Sequence, residues 1–441
     1  MPAGAEAARI GGTPCHLLEP AMSHTTCPAL ASAAHNTPEV MQCPFPFYSL
    51  LREQAPVFQD PAGYWIVSTY PLVTKVLRNP RLFSSDVIDV TPQPPELREQ
   101  FVPVKSLLLA DPPLHTRSKS IANKALSPAR VMRMRGYIQS IVDELIDAFA
   151  DKGEVDFFND FAMPLPLAVI ADQLGVPRTM GSKFREWSDA MVLPMAPSTT
   201  DEQRRAIVPT LAEMNSYFEG VLHEKRRSPT DDIISDLATI EIEPIEGLDP
   251  AGSKARPLTD VEAKTIIQLL MVAGNESTTA ALCACMDKIA CDPTMADKLR
   301  DDPDRIPNFV EEVLRLESPL QGFWRMATSD TELGGVSIPK GSLLFALFAS
   351  ANRDSDKFEE AAEFRLSREN MQSVMTFGHG VHFCAGSTLA RTELELALRT
   401  LLARLDEISL APGSEEHNYI PTTLVRGMTG LKLRFRQKAM A

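Results

Sequence analysis

One stretch limits the possible folds more than any other: TDVEAKTIIQLLMVAGNESTTAALCACMDKIACDP, residues 259–293. It opens with a Thr-x-x-Glu capping box, Thr259 to Glu262, and carries no proline until Pro293. The spacing predicts a helix of about eight turns. It is apolar on most faces, so it has to cross a core rather than lie on a surface. A chain built around it needs other helices to cover it. The segment from about Pro112 to Met326 supplies them, with ARVMRMRGYIQSIVDELIDAFADKG the clearest amphipathic case. Strand patterns fall near the two ends of the sequence: YWIVSTY (64–70), TELGGVSIPKGSLLFALFASANRD (331–354) and NYIPTTLVRGMTGLKLRF (418–435). VTPQPPELREQFVP (90–103) reads as a long loop. The fold class is therefore mainly α, of the α+β kind, with small segregated sheets.

The 441 residues carry a net charge of −14, which argues against nucleic acid as a partner. No run of about 18 apolar residues marks a membrane span, and no signal-peptide order opens the chain. Both point to a cytoplasmic protein. Residues 1–40 read as a flexible leader and 41–441 as a single domain. Seven cysteines, irregularly spread, do not form a disulfide framework. Cys15, His16, His24, Cys27, His35 and Cys43 invite a zinc reading, but no CxxC pair is among them, and a loosely docked leader fits better.

The most informative cysteine is in FGHGVHFCAG, residues 377–386. Phe377, Gly380, Cys384 and Gly386 fit F-x-x-G-x-x-x-C-x-G. A thiolate here can ligate haem iron, and glycines let the backbone pass close to a flat macrocycle. N–H groups opening the next helix favour a negative sulfur.

This stretch resembles the haem-binding signature of the cytochrome P450 family, and three further motifs follow that family's order. VEEVLRLESP holds Glu312 and Arg315 at i, i+3, which the resemblance joins to Arg368 in a buried structural charge network. DPPLHTRSKS holds His115 and, four residues on, Lys119 where the family often has Arg. With Arg325 and His382 these are the implied contacts to the haem propionates. LLMVAGNESTTAA resembles the family's oxygen-binding stretch, so Ala273, Gly274, Phe377 and Gly378 join Cys384, the axial iron ligand, as implied cofactor neighbours. Ser277 replaces the usual Thr.

The reading of that stretch is that Gly274 clears space above the iron. The Ser277 hydroxyl bonds back to the Ala273 carbonyl and opens the helix locally. Glu276 relays protons. Thr278, about 100° further round the helix, is the second candidate for the hydroxyl.

The resemblance spans about residues 40–438. It implies a triangular helical domain with haem b between the central helix and the cysteine loop, no nucleic-acid or membrane partner, and a monomer. The implied activity is monooxygenation with O2, using electrons from NAD(P)H through a ferredoxin reductase and a ferredoxin. Arg117, Lys119, Arg130, Arg133 and Arg391 are candidates for a basic docking patch. By motif position Leu269, Val272, Gln321, Phe323, Leu424 and Val425 line an apolar substrate pocket, which favours a terpenoid, steroid or fatty-acyl compound. A peroxide-driven enzyme and a non-enzymatic haem sensor are the alternatives. Glu276 and Ser277 argue against the first and the pocket against the second.

Overall fold

In the computed structural model, residues 34–87, 94–100, 105, 107–195 and 199–438 are described. The apolar stretch forms one unbroken helix, Asp260–Cys291, of 32 residues, here called the central helix. Its capping box is complete: Glu262 N donates to Thr259 Oγ1 (3.2 Å) and Thr259 N to the Glu262 carboxylate (2.9 Å). By length and composition the helix passes for a membrane span. Twenty of its residues are buried inside the protein, however, which marks a core helix.

Helices Pro128–Asp147, Pro164–Gln173, Gly181–Val192, Val208–Arg227 and Ile306–Glu317 pack round it in one apolar core, closed by Ser387–Arg404 after the cysteine loop.

A five-stranded sheet joins distant parts of the chain. Val57–Gln59 pairs antiparallel with Trp65–Val67, which pairs parallel with Leu343–Ala346. Phe323–Ala327 and then Phe83–Ser84 follow, both antiparallel. A second sheet ties Lys432–Gln437 to Leu405–Leu410 and to Glu154–Asp156. The hairpin expected over 418–435 is reduced to one bridge, Tyr419 to Met428, because Lys432–Gln437 pairs elsewhere.

Part of the loop expected over 90–103 is the short helix Pro95–Gln100; residues 90–93 and 101–103 lie outside the described residues. The proposed leader lies outside them up to residue 33. From Ala34 the chain is docked, so the folded body begins before the expected boundary at 41. His35 is buried among Phe47, Tyr48, Tyr64 and Phe345; its main-chain N–H donates to the Asp60 carboxylate (2.8 Å) and its ring Nδ1 lies 3.3 Å from Tyr64 Oη. An imidazole seated in aromatic rings is not a zinc ligand. The aromatic contacts hold the segment down.

Glu312, Arg315 and Arg368 form a buried cluster. The Glu312 carboxylate accepts from Arg315 Nε (2.8 Å) and Nη2 (2.9 Å), and from Arg368 Nε (3.0 Å). The guanidinium groups spend their other donors on main-chain carbonyls of Asn352, Ala361, Glu359 and Glu363. One carboxylate thus holds two buried cations and pins the chain before the cysteine loop. Glu312→Gln leaves those cations facing each other without compensation and should cost about 3–5 kcal/mol. Urea unfolding measures this, and an unchanged midpoint would contradict the role.

Glu393, on the helix after the cysteine loop, is buried, and its Oε2 has no partner. Burial pushes its carboxyl up to about 8 from an ordinary value of 4.5. Between those values the folded state keeps a proton that the unfolded state has lost. Stability therefore falls as pH rises through this window and levels off above it. Glu393→Gln should flatten that fall, measured by denaturant midpoints at pH 5 and pH 8.

Candidate active site

The cysteine loop is shaped by two glycines in left-handed conformation, Gly378 (φ +73°) and Gly380 (φ +70°). A Cβ on Gly380 would lie 2.6 Å from the Leu77 carbonyl oxygen, so the loop's approach to helix Tyr70–Leu77 requires glycine there. Cys384 N donates to Phe377 O (2.9 Å), closing the loop so that the sulfur sits at the start of Ser387–Arg404.

Cys384 is exposed, while the surrounding protein is dense enough for desolvation to be the largest influence on its thiol, which it raises. The Gly386 N–H, Lys119, Arg391 and the Ser387 N–H act in the opposite direction. These donors favour the thiolate, and a metal at the sulfur removes the proton outright. Cys283 and Cys285 differ: both are fully buried, with thiols pushed far up by burial alone or chiefly by burial.

Beside the loop lies a cluster suited to anions. The rings of His115 and His382 lie against each other, centroids 4.0 Å apart and tilted by 46°. Arg325 is buried, and among the described residues no carboxylate lies within ion-pair distance of it. Its Nη1 donates to Trp324 O (2.7 Å). His115 Nε2 is buried without a partner. Burial, then Lys119, lowers His115 to about 4, while burial, then Arg325, lowers His382 to about 2. Burial lowers even Arg325 to about 10. A buried guanidinium without a counter-ion, two imidazoles and a lysine ammonium form a receptor for carboxylates.

Lys119 donates to the Phe383 carbonyl. It therefore reaches the loop itself, which a shorter side chain at this position would not.

On the central helix Ala273 and Gly274 are exposed in the middle of an otherwise buried element, and a Cβ on Gly274 would meet nothing within 4 Å. Ser277 Oγ donates to Ala273 O (3.0 Å). Thr278 is buried, and Thr279 donates to Ala162 O (3.2 Å). The expected local opening does not occur: the helix is continuous, because the hydroxyl shares the carbonyl instead of displacing its helical bond. Glu276 is half-buried, and its carboxyl is raised by burial and then by Asp189.

The apolar candidates separate. Leu269, Val272, Phe323 and Val425 are half-buried, with accessible surface remaining. Gln321 does not fit the expected pocket role. It is buried, accepts from Tyr48 Oη (3.0 Å) and donates to Glu317 O and Ser318 O, so its amide is already satisfied. Leu424 packs against the aromatic cluster around Tyr48 and Phe345.

The basic patch is also corrected. Arg130 is buried against Asp236 and Asp231. Arg117 pairs with Asp249 (3.1 Å), and Arg391 pairs with Glu311 and lies over the Phe377 ring. Of the five, only Arg133 is exposed and without an ion pair among the described residues. In an acidic chain, arginines find acids nearby.

Two residues that sequence reasoning missed flank this cluster, and one of them, Asp111, is an anion whose charge acts on Arg325 and His115. Ser85 Oγ lies 2.9 Å from His382 Nε2, and Asp111 accepts from Ser84 Oγ and from Ser85 N (2.9 Å). No local pattern marks them, since Ser85 and His382 are 297 positions apart.

Residues 178–435 match the family Cytochrome P450. The chain is 33% identical over 403 residues to Cytochrome P450 109 of Bacillus spizizenii, covering 90% of this chain and 92% of the relative. It is 31% identical to the steroid C26-monooxygenase of Mycobacterium tuberculosis, covering 88% and 92%. The structure of CYP109Q5 from Chondromyces apiculatus superposes with a TM-score of 0.82 at 31% identity, covering 93% of this chain and all of that one. The chain belongs to the cytochrome P450 family. Its cofactor is haem b, its co-substrate is O2, and its electrons derive from NAD(P)H.

The residues present fit that cofactor: a flat group has open space beside Gly274, and its carboxylates have an uncompensated Arg325. Arg325→Ala removes a charge-assisted contact worth about 1.5–3 kcal/mol. Haem transfer from the holoprotein to apomyoglobin should then speed up by about ten- to a hundredfold. An unchanged rate would place the carboxylates elsewhere.

Proposed function

We propose that this chain hydroxylates a hydrophobic small molecule of the steroid, terpenoid or fatty-acyl class, receiving electrons from a ferredoxin and its reductase as a cytoplasmic monomer. Cys384 holds the iron. His115, Lys119, Arg325 and His382 hold the propionates, with Phe377 and Gly378 against the macrocycle. Haem, when bound, supplies the iron at which O2 is activated. Leu269, Val272, Phe323 and Val425 present apolar surface to the substrate, and a polar small molecule would gain nothing from it.

The observation that carries the reading is the Ser277 hydroxyl, anchored on Ala273 O at the exposed Ala273–Gly274 step with Glu276 beside it. The anchor orients the hydroxyl at the exposed step with its lone pairs open to a hydrogen bond from protonated Glu276, and in a relay the hydroxyl gives up the hydrogen it holds on Ala273 O as it takes the proton from Glu276. A burial-raised carboxyl is better matched to proton exchange near neutral pH than an ordinary one. A peroxide-driven enzyme receives its oxygen already carrying protons and has no need of this pair. A haem sensor needs neither the pair nor the apolar surface.

The relative named steroid C26-monooxygenase supports a steroid-sized substrate. Leu424, half-buried like Leu269, Val272, Phe323 and Val425, adds to the same apolar surface, whereas the Gln321 amide is engaged within the protein.

The test combines a carbon monoxide difference spectrum of the reduced holoprotein with turnover on NADH, ferredoxin and reductase. A thiolate-type spectrum with NADH-dependent product is expected; product formed only with added hydrogen peroxide would favour the peroxygenase. Ser277→Ala should leave the substrate-induced spin shift intact and divert most reducing equivalents to hydrogen peroxide. Undiminished coupling would move the role to Thr278 or to water.

A further inference from the structure

Where helix Gly181–Val192 crosses the central helix, an apolar core contains a polar seam. Asn275 Nδ2 donates to Ser188 Oγ (3.3 Å), tying the two helices at adjacent positions of Asp189 and Glu276. One polar atom at this crossing, Asn275 Oδ1 on a residue 3% exposed, is buried without a partner among the described residues. An unsatisfied buried acceptor of this kind calls for ordered water.

Asp189 stands at the outer end of the seam, its side chain 61% exposed, with Arg185 Nε 3.9 Å away. Glu276 stands at the inner end, one residue from Ser277. We infer that Asp189 is a positioning residue for proton supply: it takes protons from solvent and passes them through this hydrated crossing to Glu276. The inference rests on the proposed roles of Glu276 and Ser277.

The chemistry selects Asp189 among its neighbours. Arg185 does not release a proton at working pH, and Lys183 is engaged by Glu186 and Glu213. Burial raises the carboxyls of both Asp189 and Glu276; Arg185 opposes this at Asp189, while Asp189 itself adds to it at Glu276. Each member can therefore take up a proton and release it again. Monooxygenation consumes one O2, two electrons and two protons per substrate, yielding alcohol and water. Each handoff returns Asp189 and then Glu276 to carboxylate, so the pair is unchanged over a cycle.

The holoenzyme tests this in two ways. In the ferrous carbon monoxide complex, the C–O stretch should titrate with Glu276. Asp189→Asn should move that titration to lower pH by removing a neighbouring negative charge, and Glu276→Gln should abolish it. In O2-dependent NADH oxidation through ferredoxin and reductase, Asp189→Asn should slow the rate about tenfold and enlarge the solvent isotope effect in D2O, and Asp189→Glu should restore both.

A wild-type titration, rate and isotope effect in Asp189→Asn would overturn the inference. If Glu276→Gln and Ser277→Ala are also silent, the proposed function fails with it. If no ferredoxin supports oxidation, the electron supply is misassigned, and the rate and isotope effect of Asp189→Asn are read with a photochemical electron donor instead, because the titration shift alone reports only the neighbouring charge.

Discussion

The central helix has to meet two opposing requirements. Most of its surface must be buried for the surrounding helices to have a core, and Ala273–Gly274 must remain uncovered for a planar group to lie against it. Gly274 meets the second requirement through the absence of a side chain. The cost of a glycine inside a helix, about 1 kcal/mol relative to alanine, is small against the area that the remaining residues bury. Ser277 follows one turn later, so its hydroxyl lands at the same uncovered step. The oxygen-handling chemistry and the packing of the domain are thus set by the same few residues.

The buried charges divide by purpose. Glu312, Arg315 and Arg368 are mutually satisfied, with every remaining guanidinium donor aimed at main-chain carbonyls, and they fix the chain that leads into the cysteine loop. Arg325 has no carboxylate at ion-pair distance and His115 Nε2 no partner among the described residues, which is tolerable where an anion completes them. The contrast between the two clusters is what separates scaffold from binding site. It also explains the fate of the other arginines: in a chain of net charge −14, Arg117, Arg130 and Arg391 are drawn into local ion pairs.

Sequence made the fold class, the central helix, the cysteine loop and the three-residue charge network readable, because each is encoded in a short window. The i, i+3 spacing of Glu312 and Arg315 and the Thr259–Glu262 box are local facts. Tertiary partners were not readable. Gln321 was assigned to the pocket by motif position, yet Tyr48, far away in sequence, satisfies its amide. Ser85 and Asp111 have no local signature at all. The helix stayed straight at Ser277 because a hydroxyl and an N–H can share one carbonyl, a choice that sequence leaves open.

The five-stranded sheet has a consequence for how the protein comes into being. Its partners Trp65–Val67 and Leu344–Ala346 are nearly three hundred residues apart, and Phe83–Ser84, which leads into Ser85, closes on Phe323–Ala327. During synthesis Val57–Gln59 and Trp65–Val67 can pair with each other, but their junction with Leu343–Ala346 waits until most of the polypeptide has left the ribosome, and long-range pairing of this kind is slow. The cavity walls are therefore complete only after translation is nearly over. Haem capture is thus a late event.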